Sequence, residues 1–433
     1  MVSILVRKSK INGSARCPSS KSYSHRAIAI ASLAGGQSTI TNVLLARDTL
    51  ATLASCCALG AEIKYEGRTL RVKGSDCLNP PENVINAENS GTTIRIMTPM
   101  SGLVKRGYTV LTGDQSLRRR PMQSILDALA QLGVEAYSTK EDGTAPLIVK
   151  GGGINGGTTV VDGSISSQFI SGLLIASIYA DSKIVMKVTG NLVSKPYIGA
   201  TLAIMKHFGV SIDHSPDMRE YYIKNARYCP TKFDIPGDFS TAALILAAGA
   251  LAGEKLKVNG LSFKLPQGDS QIVDILKRMG CLIRVDKVNG EVLVEGTERL
   301  EGGGFDLADT PDLLPVVSIL ALKAKSPVTI TGVAHARVKE TDRVANIAKE
   351  LVKFGARVEE FHDGLKITAP PLIKNASLEA YNDHRLFMAF TIASMITEKS
   401  IVAGAESVDV SYPNFVADMK DLGAKISPAP DRE

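Results

Sequence analysis

The sequence predicts an α/β protein built from six repeated units of about seventy residues. Three observations lead to this prediction. A short phrase, an apolar helix end followed by glycine and then a strand, recurs six times along the 433 residues. Between the copies, stretches with helical periodicity alternate with stretches typical of strands. The longest nearly apolar runs, ISGLLIASIYA and TAALILAAGALAG, are shorter than the roughly 18 to 20 residues that a membrane-spanning helix needs.

The recurring phrase has a glycine at a fixed place. Its copies are CALGAEIKY, AQLGVEAYS, KHFGVSIDH, KRMGCLIRV, VKFGARVEE and KDLGAKISP, with the glycines Gly60, Gly133, Gly209, Gly280, Gly355 and Gly423. Successive glycines are 73, 76, 71, 75 and 68 residues apart. Each stands where the end of a helix needs a positive φ, which glycine adopts without steric cost. Six such units fill the chain.

Each unit is predicted to contain the same elements in the same order. It begins with an alanine-rich helix, such as HRAIAIASLAGG, that is apolar on nearly all sides and therefore belongs in a core. A strand such as KIVMKVTG follows, and then an amphipathic helix such as DRVANIAKELVKFG, which ends at the repeat glycine. In most copies two strands separated by a polar turn, as in VNGEVLVEG, complete the unit.

The length of the chain predicts two or more domains. Three units would close around a shared bundle of buried helices, which gives two similar lobes with a boundary near KFDIPGDFS, residues 232 to 240. The grouping into three plus three rests on size alone.

Composition narrows the class of protein. The net charge of +6 fits acidic ligands as well as nucleic acid, but aromatic residues make up only 5% and tryptophan is absent, which leaves little material for stacking on bases. The six cysteines form no C-x-x-C pair, as expected of reduced, mostly buried thiols. The apolar part of MVSILVRKSK is too short for a secretory signal. We expect a cytoplasmic protein with no membrane association, no metal site and no Walker loop.

Positive charge gathers at the predicted starts of helices. The serine, threonine, aspartate and asparagine residues there are explained as N-caps. Cations are disfavoured at the positive end of a helix dipole, yet seven lie within about a turn of such starts: Lys21, Arg26, Arg95, Arg120, Lys339, Arg343 and Arg385. If the helix starts of both lobes face a common cleft, free N–H groups, dipoles and cations together attract phosphate and carboxylate groups. The alternative is that each cation is solvated or pairs with a local acid.

Two acids and one glycine join this pattern. Asp312 and Glu340 are carboxylates among cations, available for proton transfer to and from a bound substrate. Taken singly, a helix cap and a first-turn acid explain them equally well. Gly91, in NSGTTIR, would let a ligand approach the backbone closely, and its alternative is an ordinary turn glycine.

Nine stretches follow one another along essentially the whole chain: PSSKSYSHRA, NSGTTIR, LTGDQSLRRRPM, SSQFISGLL, LVSKPYI, GDFSTAA, QGD, RVKETDR and YNDHR. In sequence and in order they resemble those of the 5-enolpyruvylshikimate-3-phosphate (EPSP) synthase family, the 3-phosphoshikimate 1-carboxyvinyltransferases. The resemblance implies a two-lobed inside-out α/β barrel with three units per lobe. It also implies that residues 14–235 form the N-terminal lobe, which mainly binds shikimate 3-phosphate. Residues 1–13 and 236–433 would form the C-terminal lobe, with Asp312, Glu340 and the phosphoenolpyruvate-binding arginines.

The implied reaction transfers the enolpyruvyl group of phosphoenolpyruvate to the 5-hydroxyl of shikimate 3-phosphate and releases phosphate, with no metal or organic cofactor. The expected catalytic residues are Asp312, Glu340 and Lys21. Shikimate 3-phosphate is expected on Lys21, Ser22, Arg26, Ser166, Ser167, Gln168, Ser194, Asp312 and Lys339. Phosphoenolpyruvate is expected on Lys21, Gly91, Arg120, Gln168, Arg343 and Arg385. The two small molecules are the expected partners of a monomeric enzyme, without nucleic acid.

Two positions depart from the family pattern. Val410 stands where many members have a lysine, so that one phosphoenolpyruvate contact is missing or supplied elsewhere. His335 stands where some members have asparagine.

The sequence leaves two alternatives open. A UDP-N-acetylglucosamine enolpyruvyl transferase shares the fold and the donor, but that family typically has a cysteine in the loop that covers phosphoenolpyruvate, and LTGDQSLRRRPM has none. An RNA-binding protein of the related RNA 3′-phosphate cyclase fold is disfavoured by the few aromatic residues and the absence of a concentrated basic run.

Overall fold

The computed structural model describes residues 2–75 and 77–430, which divide into two compact units. The N-terminal unit comprises Ser19–Pro236. The C-terminal unit comprises the residues up to Pro18 and those from Gly237 onward.

The first two strands of the chain belong to the C-terminal unit: β1 is Ser3–Arg7 and β2 is Ile11–Arg16. The N-terminal unit follows. Its helices are α1 Lys21–Leu33, α2 Arg47–Ala58, α3 Gly91–Gly102, α4 Gln123–Gln131, α5 Ser167–Ser177 and α6 Lys195–His207. Its strands are β3 Gly36–Thr41, β4 Glu62–Glu66, β5 Thr69–Gly74, β6 Ile85–Asn86, β7 Tyr108–Thr112, β8 Ala136–Ser138, β9 Leu147–Lys150, β10 Gly157–Asp162, β11 Ile184–Thr189, β12 Asp213–His214, β13 Glu220–Ile223 and β14 Lys232–Asp234.

The rest of the C-terminal unit repeats this series of elements. Its helices are α7 Phe239–Ala252, α8 Ile272–Arg278, α9 Leu314–Leu320, α10 Arg343–Lys353, α11 His384–Ser394 and α12 Phe415–Asp421. Its strands are β15 Gly253–Asn259, β16 Leu282–Asp286, β17 Glu291–Glu295, β18 Gly303–Asp306, β19 Val328–Thr331, β20 Arg357–Phe361, β21 Gly364–Thr368, β22 Ser377–Glu379, β23 Lys399–Ala403 and β24 Lys425–Pro428.

The alanine-rich helices form the core of each unit, as their lack of a polar face predicts. In the C-terminal unit α7, α9 and α11 pack against one another, and every residue of α7 up to Leu251 is buried. In the N-terminal unit α3 packs against α1 and α5. Within the described residues, every helix is too short or too polar to cross a bilayer.

Six four-stranded sheets share one topology, three in each unit. Their strand orders are β14-β3-β5-β4, β6-β7-β9-β8 and β10-β11-β13-β12 in the N-terminal unit, and β16-β17-β15-β2, β18-β19-β21-β20 and β22-β23-β1-β24 in the C-terminal unit. In the second of these, for example, β6 pairs parallel with β7, and β9 pairs antiparallel with both β7 and β8. The fold class predicted from the sequence, an α/β protein of six repeats in two groups of three, is confirmed.

One strand of each sheet is absent from the sequence prediction. It is the strand that precedes each buried helix, namely β2, β6, β10, β14, β18 or β22, and it pairs parallel with a strand that follows a buried helix. Some of these strands are very short; β6 has two residues, Ile85 and Asn86. A period of two cannot be recognised over so few residues.

The division between the units lies five residues further along than the expected boundary after residue 13. The reason is β2, which pairs in parallel with β15 and so keeps residues up to Pro18 with the C-terminal unit. At the other end of the N-terminal unit, β14 pairs in parallel with β3 and completes a sheet of that unit.

The helix ends agree with the repeat that predicted them. All six repeat glycines have positive φ, between 81° at Gly133 and 109° at Gly60. The recurring phrase is therefore a helix terminator, and it sets the spacing of the units.

Candidate active site

The starts of six helices are capped by side chains, as the sequence predicts. Serine oxygens accept backbone N–H groups at the starts of α1, α3 and α5, and aspartate oxygens do so at α7, α10 and α11: Ser20, Ser90, Ser166, Asp238, Asp342 and Asp383. Each cap satisfies one or two of the donors that a helix start leaves without an intrahelical partner.

Lys21 is the first residue of α1, and it faces a buried carboxylate. Its Nζ donates to Oδ2 of Asp48 over 3.1 Å, and Asp48 lies in the first turn of α2. The side chain of Lys21 is 15% exposed and that of Asp48 5% exposed. This pair holds an ammonium group near the start of the helix, where an anion is favoured and a cation is not.

Arg26, one turn further along α1, is buried, and all five of its N–H groups have acceptors. Nη1 donates to the carbonyl and hydroxyl oxygens of Ser22, and Nε donates to Oγ1 of Thr201 over 2.7 Å. Nη2 donates to Oγ of Ser171 and to the carbonyl oxygen of Tyr197. Burial lowers the pKa of Arg26 to about 10, while the nearby tyrosines act in the opposite direction. The guanidinium stays charged at neutral pH and fixes Ser22 and the start of α6.

Gly91, the first residue of α3, lies between two guanidinium groups. A Cβ atom at this position would be 3.1 Å from Nη1 of Arg120 and 3.3 Å from Nη1 of Arg95. Arg120 Nη2 donates to Oδ1 of Asn89 over 2.7 Å, and Arg95 Nη1 donates to Oε1 of Gln168 over 2.8 Å. We call Gly91, Arg95, Arg120 and Gln168 the Gly91 cradle. It places two buried cations beside the buried backbone at the start of α3, and cations next to a helix start are the chemistry of an anion site.

A buried chain of hydrogen bonds connects the helices α1, α2 and α3. Nδ1 of His25 lies 2.6 Å from Oγ1 of Thr52, which lies 2.6 Å from Oγ1 of Thr93. Thr93 then donates to Oγ of Ser90, the cap of α3. Burial, Lys21 and Arg26 lower the pKa of His25, so that it is neutral and adds no charge to the site.

The three remaining serines expected at this site also lie at helix starts. Ser166 caps α5 and lies 3.4 Å from Nη1 of Arg95, and Ser167 is the first residue of the same helix. Ser194 precedes α6 with a left-handed backbone, at φ 56°, which is uncommon for a residue other than glycine. All three are at least nine-tenths buried.

In the C-terminal unit the expected residues Asp312, Glu340 and Arg385, together with Asp383, form one ionic network around Arg343, the first residue of α10. The Arg343 guanidinium donates to three carboxylates: to Oδ1 of Asp312 over 2.8 Å, to Oε2 of Glu340 over 2.8 Å and to Oδ2 of Asp383 over 2.7 Å. Arg385 donates to the other oxygen of Asp312 over 2.8 Å. We call these five residues the Arg343 network. Its acids surround arginine side chains, and among the described residues no group of His, Cys, Asp and Glu is arranged to hold a metal ion.

The network sets the protonation of its members. Burial alone raises the pKa of Asp312, but Arg385, Arg343 and Lys339 outweigh it and hold that pKa well below its usual range. Burial lowers the pKa of Arg343, and the three carboxylates outweigh it in the opposite direction. Asp312 is thus an ionised carboxylate whose basicity is suppressed by its two arginine partners.

The two positions that depart from the family pattern lie in buried surroundings. His335 is 6% exposed, in a short 3₁₀ turn that precedes Lys339. Burial and then Lys339 lower the pKa of His335 to about 3, against the influence of Asp312. Val410 ends another 3₁₀ turn, Ala405–Val410, and its buried isopropyl group supplies no cation there.

The structure adds three residues to which the sequence alone assigns no role. The sequence identifies Arg95 only as a cation near a helix start, because its place in the Gly91 cradle depends on α3 and α5 packing together. Asp48 and Asp383 are the acid partners of Lys21 and Arg343. Asp383 stands within YNDHR and signals a cap, whereas nothing in the sequence around Asp48 predicts its partner 27 residues away.

Known proteins resemble the chain over its full length. The family model described as EPSP synthase (3-phosphoshikimate 1-carboxyvinyltransferase) matches residues 6–419. The chain belongs to the EPSP synthase family. A relative from Nitrosopumilus maritimus named 3-phosphoshikimate 1-carboxyvinyltransferase is 45% identical over 98% of this chain and 99% of its own length. A relative of the same name from Methanocaldococcus jannaschii is 43% identical over the same shares.

Solved structures lead to the same family. The structure of EPSP synthase from Acinetobacter baumannii, at 2.37 Å, aligns with a TM-score of 0.82 and 25% identity. The alignment covers 99% of this chain and 100% of that chain. The two alternatives left open by the sequence are therefore not favoured.

Proposed function

We propose that this transferase moves the enolpyruvyl group of phosphoenolpyruvate to the 5-hydroxyl of shikimate 3-phosphate and releases inorganic phosphate. The names of the relatives support the overall reaction, a step of the shikimate pathway. The observation that carries the proposal is the Gly91 cradle, with its two buried guanidinium groups beside the start of α3. Both substrates carry a phosphate and a carboxylate, which such a site attracts.

We assign shikimate 3-phosphate to the residues that the resemblance implies. The set is Lys21, Ser22, Arg26, Ser166, Ser167, Gln168, Ser194, Asp312 and Lys339. The saturated hydrogen bonds of Arg26 refine this assignment. Because Ser22 accepts two of its five bonds, a substrate oxygen reaches Arg26 by displacing Ser22 or is bound by the hydroxyl that Arg26 orients.

We assign phosphoenolpyruvate to Lys21, Gly91, Arg120, Gln168, Arg343 and Arg385. Arg95 joins them because it flanks Gly91 and donates to Gln168. In the C-terminal unit an anion competes with carboxylates for the arginines, since Arg343 and Arg385 both donate to Asp312.

This competition supplies a mechanism for activating the base. An anion that accepts hydrogen bonds from Arg343 and Arg385 weakens the ion pairs of these arginines with Asp312. The pKa of Asp312 then rises towards its usual range. A carboxylate with a higher pKa is a stronger base. Phosphoenolpyruvate thus prepares Asp312 to remove the proton of the 5-hydroxyl.

The chemistry then runs in two balanced steps. Glu340 takes up a proton from water once the anion has displaced it from Arg343. The substrate oxygen, losing its proton to Asp312, bonds to C2 of phosphoenolpyruvate while Glu340 gives that proton to C3. The tetrahedral adduct next returns a C3 proton to Glu340, the C2–O bond to phosphate breaks, and phosphate leaves with the proton held by Asp312. The cations stabilise the charge that develops on the leaving group. The catalytic role that the resemblance implies for Lys21 stays a prediction.

The remaining expectations also stay proposals. A cytoplasmic location is supported by the six free thiols, which suit a reducing compartment. We expect a monomer that needs no added cofactor.

The test is release of inorganic phosphate by the purified protein from phosphoenolpyruvate, with and without shikimate 3-phosphate and without added metal. Release only when both substrates are present is expected. If folded protein released phosphate with UDP-N-acetylglucosamine as acceptor and not with shikimate 3-phosphate, the proposed acceptor would be rejected.

A further inference from the structure

The turn that leads into α11 has a strained backbone. Two consecutive residues other than glycine, Tyr381 with φ 54° and Asn382 with φ 57°, are in the left-handed region. Side chains disfavour this region because Cβ approaches the backbone closely. Such a conformation persists only where surrounding contacts impose it.

A buried carboxylate on the neighbouring helix α10 supplies two of these contacts. Glu350 is fully buried, and its Oε1 accepts the hydroxyl of Tyr381 over 2.7 Å. Its Oε2 accepts the backbone N–H of Glu379 over 3.0 Å, just before the strained pair. Lys353 donates to both oxygens and compensates the charge. Glu350 therefore holds the backbone at Glu379, two residues before the turn, and the side chain of Tyr381, the first strained residue.

The turn is followed at once by the residues that act on the proposed substrate. Asp383, directly after Asn382, is fully buried and accepts both the N–H of Arg385 over 2.9 Å and Nε of Arg343 over 2.7 Å. Arg385 in turn donates to Asp312. A relaxed turn would move the cap of α11, and with it the two arginines assigned to phosphoenolpyruvate.

We propose that Glu350 is a positioning residue for phosphoenolpyruvate binding, because it imposes the left-handed turn at Tyr381 and Asn382 that aims Asp383 and Arg385. This inference rests on the proposed function. It assigns to Glu350 no contact with the substrate or the reacting atoms. Glu350 acts on the site only by fixing the backbone conformation of the turn. A hydrogen bond that merely stabilises the C-terminal unit would not act on the site in this way.

The test uses Tyr381→Phe, which removes one hydrogen bond to Glu350 and keeps the aromatic ring. The KM for phosphoenolpyruvate is expected to rise about tenfold, while kcat and the KM for shikimate 3-phosphate stay within about twofold. The matched control is Tyr222→Phe, because the exposed Tyr222 of the N-terminal unit likewise donates its hydroxyl to a glutamate, Glu220, over 2.6 Å. Its kinetic constants are expected to equal those of the wild type.

A second variant tests the route through the backbone. Glycine adopts the left-handed region without cost, so Asn382→Gly added to Tyr381→Phe is expected to return the KM for phosphoenolpyruvate to within about threefold of the wild type. An unchanged KM in the folded Tyr381→Phe variant would overturn the inference. So would failure of the glycine to rescue, or a parallel rise in the KM of both substrates, which a structural role predicts. An inactive wild type would reject the proposed function itself, and this inference with it.

Discussion

The two units contain charged clusters of opposite design. Among the described residues, four cations of the N-terminal unit, Lys21, Arg26, Arg95 and Arg120, are accompanied by one carboxylate, Asp48. Three cations of the C-terminal unit, Lys339, Arg343 and Arg385, are accompanied by three carboxylates, Asp312, Glu340 and Asp383. The first cluster has an excess of positive charge, which suits it to bind anions. The second cluster contains carboxyl groups whose pKa values change when an anion binds to their arginine partners.

The difference lies in what holds the arginines. Arg26 and Arg120 donate to neutral oxygens of serine, threonine, asparagine and the backbone, so their full charge acts on a ligand. Arg343 is held by carboxylates, and an incoming anion has to exchange with them. We therefore expect that substitutions in the first cluster alter binding and that substitutions of the proton-transferring acids in the second cluster alter turnover.

Asp312→Asn should have the largest effect. Loss of a general base lowers kcat by about 100- to 10,000-fold. Because Asp312 competes with phosphoenolpyruvate for Arg343 and Arg385, the KM for phosphoenolpyruvate should stay equal or fall. Steady-state kinetics measure both constants, with the exposed Glu301→Gln as control. A normal kcat would remove Asp312 from the mechanism, and a raised KM would contradict the competition.

Gly91→Ala should alter binding instead. The added Cβ would lie 3.1 Å from Arg120 and 3.3 Å from Arg95, so that it fills the place assigned to the anion. We expect the KM for phosphoenolpyruvate to rise about tenfold, equivalent to about 1.4 kcal/mol, with a smaller change in kcat. Gly35→Ala is the control, since a Cβ there meets nothing within 4 Å. Equal KM values in the two variants would show that the cradle does not bind the donor.

His335→Asn should act on stability. The pKa of His335 is about 3 in the folded protein, below the value of about 6.5 usual for an unfolded chain. As the pH falls below about 6.5 the unfolded state binds the proton first, so the free energy of unfolding decreases until about pH 3. Between pH 7 and pH 5 the wild type should lose about 2 kcal/mol more than His335→Asn.

Urea unfolding at pH 7 and pH 5 measures this difference. The exposed His214→Asn is the control, and it should lose stability as the wild type does. If His335→Asn lost as much as the wild type between these pH values, His335 would not be held neutral by its surroundings.

The sequence predicts what local patterns determine. Helical periodicity and the six glycines establish the repeats, because a helix and its terminator are specified within a few residues. The strands before the buried helices are not predicted, because a strand as short as Ile85–Asn86 forms only by pairing with a distant strand. The exchange of β2 and β14 between units also depends on pairing between distant parts of the chain.

The same limit applies to the site. Motifs identify Lys21, Gly91 and Arg343 as candidates because they lie at helix starts. Their acid partners depend on packing, as in the pair of Lys21 with Asp48, 27 residues away. The suppressed basicity of Asp312 follows from two arginines, 31 and 73 positions further along the chain, and only the folded unit brings them together.

The most direct test of the reaction is a nuclear magnetic resonance spectrum of the wild type with both substrates in D₂O. We expect inorganic phosphate, a carboxyvinyl ether at the 5-oxygen of shikimate 3-phosphate, and deuterium in the vinyl methylene group, because C3 gains and loses a proton. Consumption of phosphoenolpyruvate with shikimate 3-phosphate unaltered would contradict the reaction. Formation of the ether without deuterium would contradict proton transfer to C3.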